Sequence, residues 1–106
     1  MSPSPDSRET DERLRVLVVD DEPTLRLGFA YALSNRHTLV ETAANGRIAL
    51  ERIANERFDI MILDLRMPDL DGIGVIEELR ASGNRIPVVL CSAALNPRAA
   101  LRAIRN

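Results

Sequence analysis

Lysine and tryptophan are absent from this chain of 106 residues, cysteine occurs once, and only Phe29, Tyr31 and Phe58 are aromatic. Each scarcity excludes something. The single Cys91 rules out an internal disulfide and a cysteine-only zinc site. With so few aromatics, the core has to be aliphatic. All 14 basic side chains are arginine, so no chemistry that needs a lysine ammonium can be housed in these residues. A strong charge of one sign is also missing: 16 acids against those bases leave a net −2, which offers no field to nucleic acid. No apolar run approaches the ~20 residues of a membrane span. The opening MSPSPDSRETDER is polar throughout and lacks the apolar stretch of a secretory signal. The expectation is a single cytoplasmic domain, residues 14–106, preceded by a disordered tail over residues 1–13.

What is present is a strict alternation. Val16-Leu17-Val18-Val19 is a short apolar, β-branched run that stops at Asp20-Asp21. Such a run reads as a strand buried on both faces, as in a parallel sheet. Pro23 suits the first turn of a helix carrying Leu25, Phe29, Ala32 and Leu33 at helical spacing. A weaker strand over 38–42 follows, then Asn45-Gly46 and a helix with Ile48, Ala49, Leu50 and Ile53. Residues 58–63 form a third strand ending at Asp64, and 72–82 a helix with Ile73, Ile76 and Leu79 on one face, stopped by Gly83-Asn84. Pro87-Val88-Val89-Leu90-Cys91 is a fourth strand ending at Ser92. A last helix starts at Asn96-Pro97, with Leu101 and Ile104 inward. Four strand–helix pairs predict an open parallel α/β sheet with right-handed crossovers.

In such sheets the functional crevice lies beyond the carboxyl ends of the strands. Three strands deliver polar residues to that edge: Asp20 and Asp21, Asp64, and Ser92. Taken singly, an Asp after a strand is usually a cap or turn residue, as expected here for Asp69 and Asp71. Three carboxylates brought to one small site repel one another, and either a proton or a cation must be held there. Hard oxygen ligands favour Mg²⁺. A strand-end Asp can also attack phosphorus to form an acyl phosphate, and a hydroxyl such as Ser92 can donate to a phosphoryl oxygen.

The stretches Val18-Val19-Asp20-Asp21-Glu22-Pro23, Leu63-Asp64-Leu65-Arg66-Met67-Pro68-Asp69-Leu70-Asp71-Gly72 and Pro87-Val88-Val89-Leu90-Cys91-Ser92-Ala93 together resemble the receiver domain of bacterial two-component response regulators. Asn45-Gly46 with Ala49-Leu50 fits the same pattern. The resemblance spans residues 14–106. It implies a flavodoxin-like doubly wound parallel sheet, strand order 2-1-3-4 here, with the family's fifth strand and helix absent from this chain. It implies Asp64 as phosphoacceptor. It also implies Asp20, Asp21, Asp64 and the backbone carbonyl of Arg66 as the Mg²⁺ site, with Asp21 binding directly and Asp20 more through water. Ser92 becomes the switch hydroxyl. The implied donor is a phosphohistidine on a sensor histidine kinase or a histidine phosphotransfer protein, with a homodimer or an output partner also in view.

The resemblance has a gap: the lysine that relatives carry at the end of their fifth strand has no counterpart among these residues. The chain therefore reads as a receiver cut short before that strand, either a piece of a longer regulator or a short receiver completed by a partner. A pseudo-receiver acting as a phosphorylation-independent interaction domain is the alternative. A third reading is a Mg²⁺ phosphohydrolase of the Asp-x-Asp-x-Thr type, which Asp20-Asp21-Glu22-Pro23-Thr24 matches with Glu in place of the second Asp. Cys91 reads as a small core residue, His37 as a surface residue, and Arg98, Arg102 and Arg105 as a solvated helix face.

Overall fold

The computed structural model describes residues 13–67 and 70–91. Within them the β-branched run forms β1, Leu14–Val19. Helix α1, Pro23–Leu33, follows, then β2, Thr38–Ala43, α2, Gly46–Asn55, β3, Ile60–Asp64, α3, Gly72–Ala81, and β4, Val88–Cys91. The four strands make one parallel sheet in the order β2-β1-β3-β4. Strand β1 is central, with Val16 level with Val40 on one side and with Ile60 on the other.

Strand alternation then sorts the apolar side chains onto two faces. Leu17, Val19, Met61 and Leu63 meet Ala49 and Ile53 of α2 and Val75 and Leu79 of α3. Val16, Val18, Ile62 and Cys91 meet Phe29 and Leu33 of α1. With helices on both faces the sheet is doubly wound, the flavodoxin-like arrangement. Each cluster holds one phenylalanine, Phe29 on one face and Phe58 on the other; branched aliphatics supply most of the rest, with alanine, methionine and Cys91 filling in. Fully burying each such side chain contributes about 1.5–3 kcal/mol.

The helices begin and end where the sequence provides partners for their terminal backbone groups. Glu22, Asn45 and Asp71 are the N-caps of α1, α2 and α3, accepting from the N–H groups of Thr24, Ile48 and Gly74. At the end of α3, Gly83 adopts φ 90°, a left-handed conformation that favours glycine. The N–H of Gly83 then donates to the Arg80 carbonyl and that of Asn84 to the Leu79 carbonyl, closing the helix.

Three details depart from the sequence-based expectation. Ile73 is 48% exposed and Val75 fills the core in its place, so the inward face of α3 is rotated from the predicted stripe. Ile48 on α2 is 40% exposed for the same reason, and Ala32 on α1 is exposed. The third strand starts at Ile60 rather than at Phe58. The Asp59 carboxylate accepts the Arg15 N–H at 2.8 Å, while the Asp59 N–H donates to the Arg15 carbonyl. A side-chain oxygen thus stands where a ladder carbonyl would, and regular pairing begins only afterwards.

The segment before β3 is pinned by charge. Arg15 donates to Glu41 at 2.6 Å and to Glu56 at 3.1 Å, and Arg52 bonds both carboxylates as well. The two guanidinium groups lie 4.5 and 5.5 Å from the Phe58 ring centroid. The expected tail, apart from Arg13, lies outside the described residues, as do Pro68, Asp69, Ser92 and the predicted last helix.

Candidate functional site

The register of β1 against β3 builds the site. Val19 lies level with Leu63, so the residues that follow, Asp20 just past the end of β1 and Asp64 as the last residue of β3, both reach the carboxyl edge of the sheet. Asp21 comes next on the chain. One carboxylate oxygen from each of Asp20, Asp21 and Asp64 lies within 4.8 Å of the others. Asp20 and Asp64 are buried, at 3% and 6% exposure, and Asp21 is exposed. The cluster is therefore a buried pair with an open side.

Each buried acid is oriented by local backbone. The Glu22 N–H donates to Asp20 Oδ1 at 2.9 Å, and the Arg66 N–H donates to Asp64 Oδ1 at 3.2 Å. The Asp20 N–H is taken by the Ala43 carbonyl of β2, and the Asp20 carbonyl accepts from Arg26 Nη1 at 2.8 Å. Burial pushes the Asp20 carboxyl above its ordinary range, and the charges of Asp64 and Asp21 add to the rise. The Glu22 N–H and the Arg26 charge pull the other way without cancelling it.

This donor set suits a hard divalent cation. All three groups are carboxylates, and among the described residues no nitrogen or thiolate ligand shares the cluster. Oxygen-only donors with open space on one side are the coordination Mg²⁺ takes, and a soft metal would find no soft ligand here. Without a cation, the charges of Asp64 and Asp21 add to the rise at Asp20; a dication removes that penalty.

Other candidates fall elsewhere. Asp71 is exposed and caps α3, accepting the Gly74 N–H at 2.8 Å. His37 is exposed on the turn before β2. Cys91 is buried level with Asp64, its Sγ 3.7 Å from the Leu63 carbonyl. Burial, with the charges of Asp64 and Asp20, pushes its thiol up to about 11, so it is protonated at neutral pH and not a nucleophile. Ser92, the fourth predicted contributor, lies outside the described residues. Arg66 is exposed beside Asp64. The residue the sequence reading missed is Arg26. Its signal was an arginine six positions after Asp20, far enough along the helix for a long side chain to turn back to the strand end.

A sequence profile described as response regulator receiver domain matches residues 16–106. Over 80 residues the chain is 41% identical to the response regulator MprA of Mycolicibacterium vanbaalenii, covering 76% of this chain and 35% of that protein. Over 93 residues it is 40% identical to the regulatory protein AtoC of Escherichia coli, covering 86% of this chain and 20% of that protein. The chain thus spans between a fifth and about a third of the length of these relatives. Among solved structures, Vibrio cholerae chemotaxis protein CheY4 is 25% identical with a TM-score of 0.76, covering 88% of this chain and 97% of that one. Thermotoga maritima TrrA, solved in complex with Mg²⁺-BeF, is 35% identical with a TM-score of 0.71, covering 76% of this chain and 70% of that one.

Proposed function

The chain belongs to the response regulator receiver domain family, a signalling domain, and on that premise we propose that Asp64 accepts a phosphoryl group in a Mg²⁺-dependent reaction. The observation that carries this reading is the meeting of Asp20, Asp21 and Asp64 within 4.8 Å at the carboxyl edge of the sheet. Asp21, open to solvent, would hold the ion directly and buried Asp20 more through water, with Asp64 and the Arg66 carbonyl as the remaining protein ligands. When bound, the dication neutralises charge on the phosphoryl oxygens, which is the main demand of phosphoryl transfer.

The chain's own residues do the rest. A carboxylate oxygen of Asp64 attacks phosphorus on a phosphohistidine, the P–N bond breaks, its electron pair stays with the imidazole, and an aspartyl phosphate remains. The Arg66 N–H keeps the Asp64 carboxylate turned to a fixed side while this occurs. Ser92 supplies a hydroxyl donor to a phosphoryl oxygen and moves with it as the conformational switch. With lysine absent from all 106 residues, charge neutralisation within them falls to the ion and to N–H and O–H donors. The donor is a sensor histidine kinase or a histidine phosphotransfer protein, met in the cytoplasm by the domain at 14–106. The output is a partner surface, in a homodimer or in the longer proteins that relatives such as MprA and AtoC represent. Among the described residues no helix is long and apolar enough to cross a membrane.

Acetyl phosphate with Mg²⁺ should add one phosphoryl group by intact mass. EDTA or Asp64→Asn should abolish the addition. Equal labelling of the Asn variant would remove Asp64 from the role. No labelling and no Mg²⁺ binding in the unsubstituted chain would leave an interaction domain that works without phosphorylation.

A further inference from the structure

We propose that Gly72, the first residue of α3, is a positioning residue for the Asp64–Arg66 backbone, holding the acceptor carboxylate and the Arg66 carbonyl in place for the ion. The proposal rests on the reading of the acidic cluster as a Mg²⁺ site. A Cβ built on Gly72 would lie 2.6 Å from the Asp64 carbonyl oxygen, 3.0 Å from Leu65 Cα and 3.3 Å from the Asp64 carbonyl carbon. All three atoms are backbone, so no side-chain rotation can relieve the contact. The helix turn touches the segment that ends β3, and the Gly72 N–H donates to the Leu65 carbonyl at 3.3 Å.

Neither partner is free to retreat. Behind Gly72, buried Val75 presses on the next helix: a Cβ on Gly46 of α2 would lie 2.6 Å from Val75 Cγ2 and 3.0 Å from the Leu70 carbonyl. The turn is also closed by Asp71, which accepts from Gly74 through its side chain and from Val75 through its carbonyl. On the other side the Leu65 N–H donates to the Cys91 carbonyl at 2.9 Å, and the Arg66 N–H to Asp64 Oδ1 at 3.2 Å. Room for a methyl group at position 72 therefore has to come from moving Asp64, Leu65 and Arg66, and the carboxylate turns with the Arg66 N–H that holds it.

The other glycines supply controls. A Cβ on Gly74 would meet the Leu70 Cδ1 at 2.7 Å, the mobile end of a side chain, and one on Gly28 would meet nothing within 4 Å. Mg²⁺ titrations of the full chain, followed by amide NMR, should be run on Gly72→Ala, Gly74→Ala and Gly28→Ala, with Asp21→Ala as the site control and thermal midpoints recorded for all. The expected result is a Mg²⁺ dissociation constant raised about 10-fold or more in Gly72→Ala, with Gly74→Ala and Gly28→Ala within about 2-fold of the unsubstituted chain. A role in folding alone would lower the midpoint of Gly72→Ala and leave the affinity of the folded protein unchanged. If that variant is too unstable to titrate in buffer, adding a stabilising osmolyte restores the folded state for the same comparison. Unchanged affinity in folded Gly72→Ala, or an equal loss in Gly74→Ala, overturns the proposal and leaves the Mg²⁺ reading standing. Failure of the unsubstituted chain to bind Mg²⁺ through Asp21 overturns both.

Discussion

Arg26, one turn into α1, reaches back to the end of β1 and donates from Nη1 to the carbonyl oxygen of Asp20 at 2.8 Å. The bond places a fixed positive charge beside a buried carboxylate that two other acids are pushing toward protonation. Replacing Arg26 by Gln keeps a donor and removes the charge. In metal-free protein the Asp20 titration, read by carboxyl carbon NMR, should then move further above its ordinary range. An unchanged or lowered midpoint would mean that the Arg26 charge is screened from Asp20.

Asp20 itself should cost stability when no ion is present. Its folded-state proton affinity is raised, so the charged form is penalised above that raised value and the penalty disappears as pH falls through it. Asp20→Asn keeps the oxygen that accepts the Glu22 N–H and removes the charge. The variant should be about 1–2 kcal/mol more stable at neutral pH without Mg²⁺, measured by urea unfolding. Mg²⁺ should stabilise the unsubstituted chain more than the variant.

The opposite sign holds at the charged cluster on Phe58. Burial alone would raise Glu41, but hydrogen bonds from Arg15 and Arg52 outweigh it and hold its carboxyl below the ordinary range. Glu56 is held low chiefly by its hydrogen bond to Arg52. That stabilisation is complete above the ordinary glutamate range and is lost as pH falls through the depressed values. Glu41→Gln should cost about 1 kcal/mol at neutral pH, between the values for exposed and buried pairs. The gap between variant and parent should close as the solution is acidified below the ordinary glutamate value of about 4.3.

The helix faces allow a packing test. Val75 is fully buried and Ile73 is 48% exposed, although both are β-branched and two positions apart. Val75→Ala should cost about 2 kcal/mol and Ile73→Ala within about 0.5 kcal/mol, by chemical denaturation. Equal costs would return Ile73 to the core.

That pair also shows where sequence reading stopped. The alternation of strands and helices was legible because buried parallel strands leave continuous apolar runs, and Val16 to Val19 and Ile60 to Leu63 are such runs. The acidic edge was legible because each run ends on an Asp. Helix rotation was not: α2 and α3 are short, with apolar residues on more than one side, and facing side chains decide which of them turn inward. Arg26 escaped because a backbone carbonyl as partner leaves no mark on the sequence. The start of β3 escaped because Asp59 stands in for a ladder carbonyl with its side chain, which propensity does not encode.

Of the three clustered acids, Asp64 is the one proposed to carry phosphate, and a chemical measurement can locate it. After reaction with acetyl phosphate and Mg²⁺, borohydride reduces an aspartyl phosphate to homoserine, and peptide mapping locates the changed residue. Conversion at Asp64 alone, absent when Mg²⁺ is withheld, is the predicted result. Conversion at Asp20 or Asp21, or none anywhere in the chain, would contradict it.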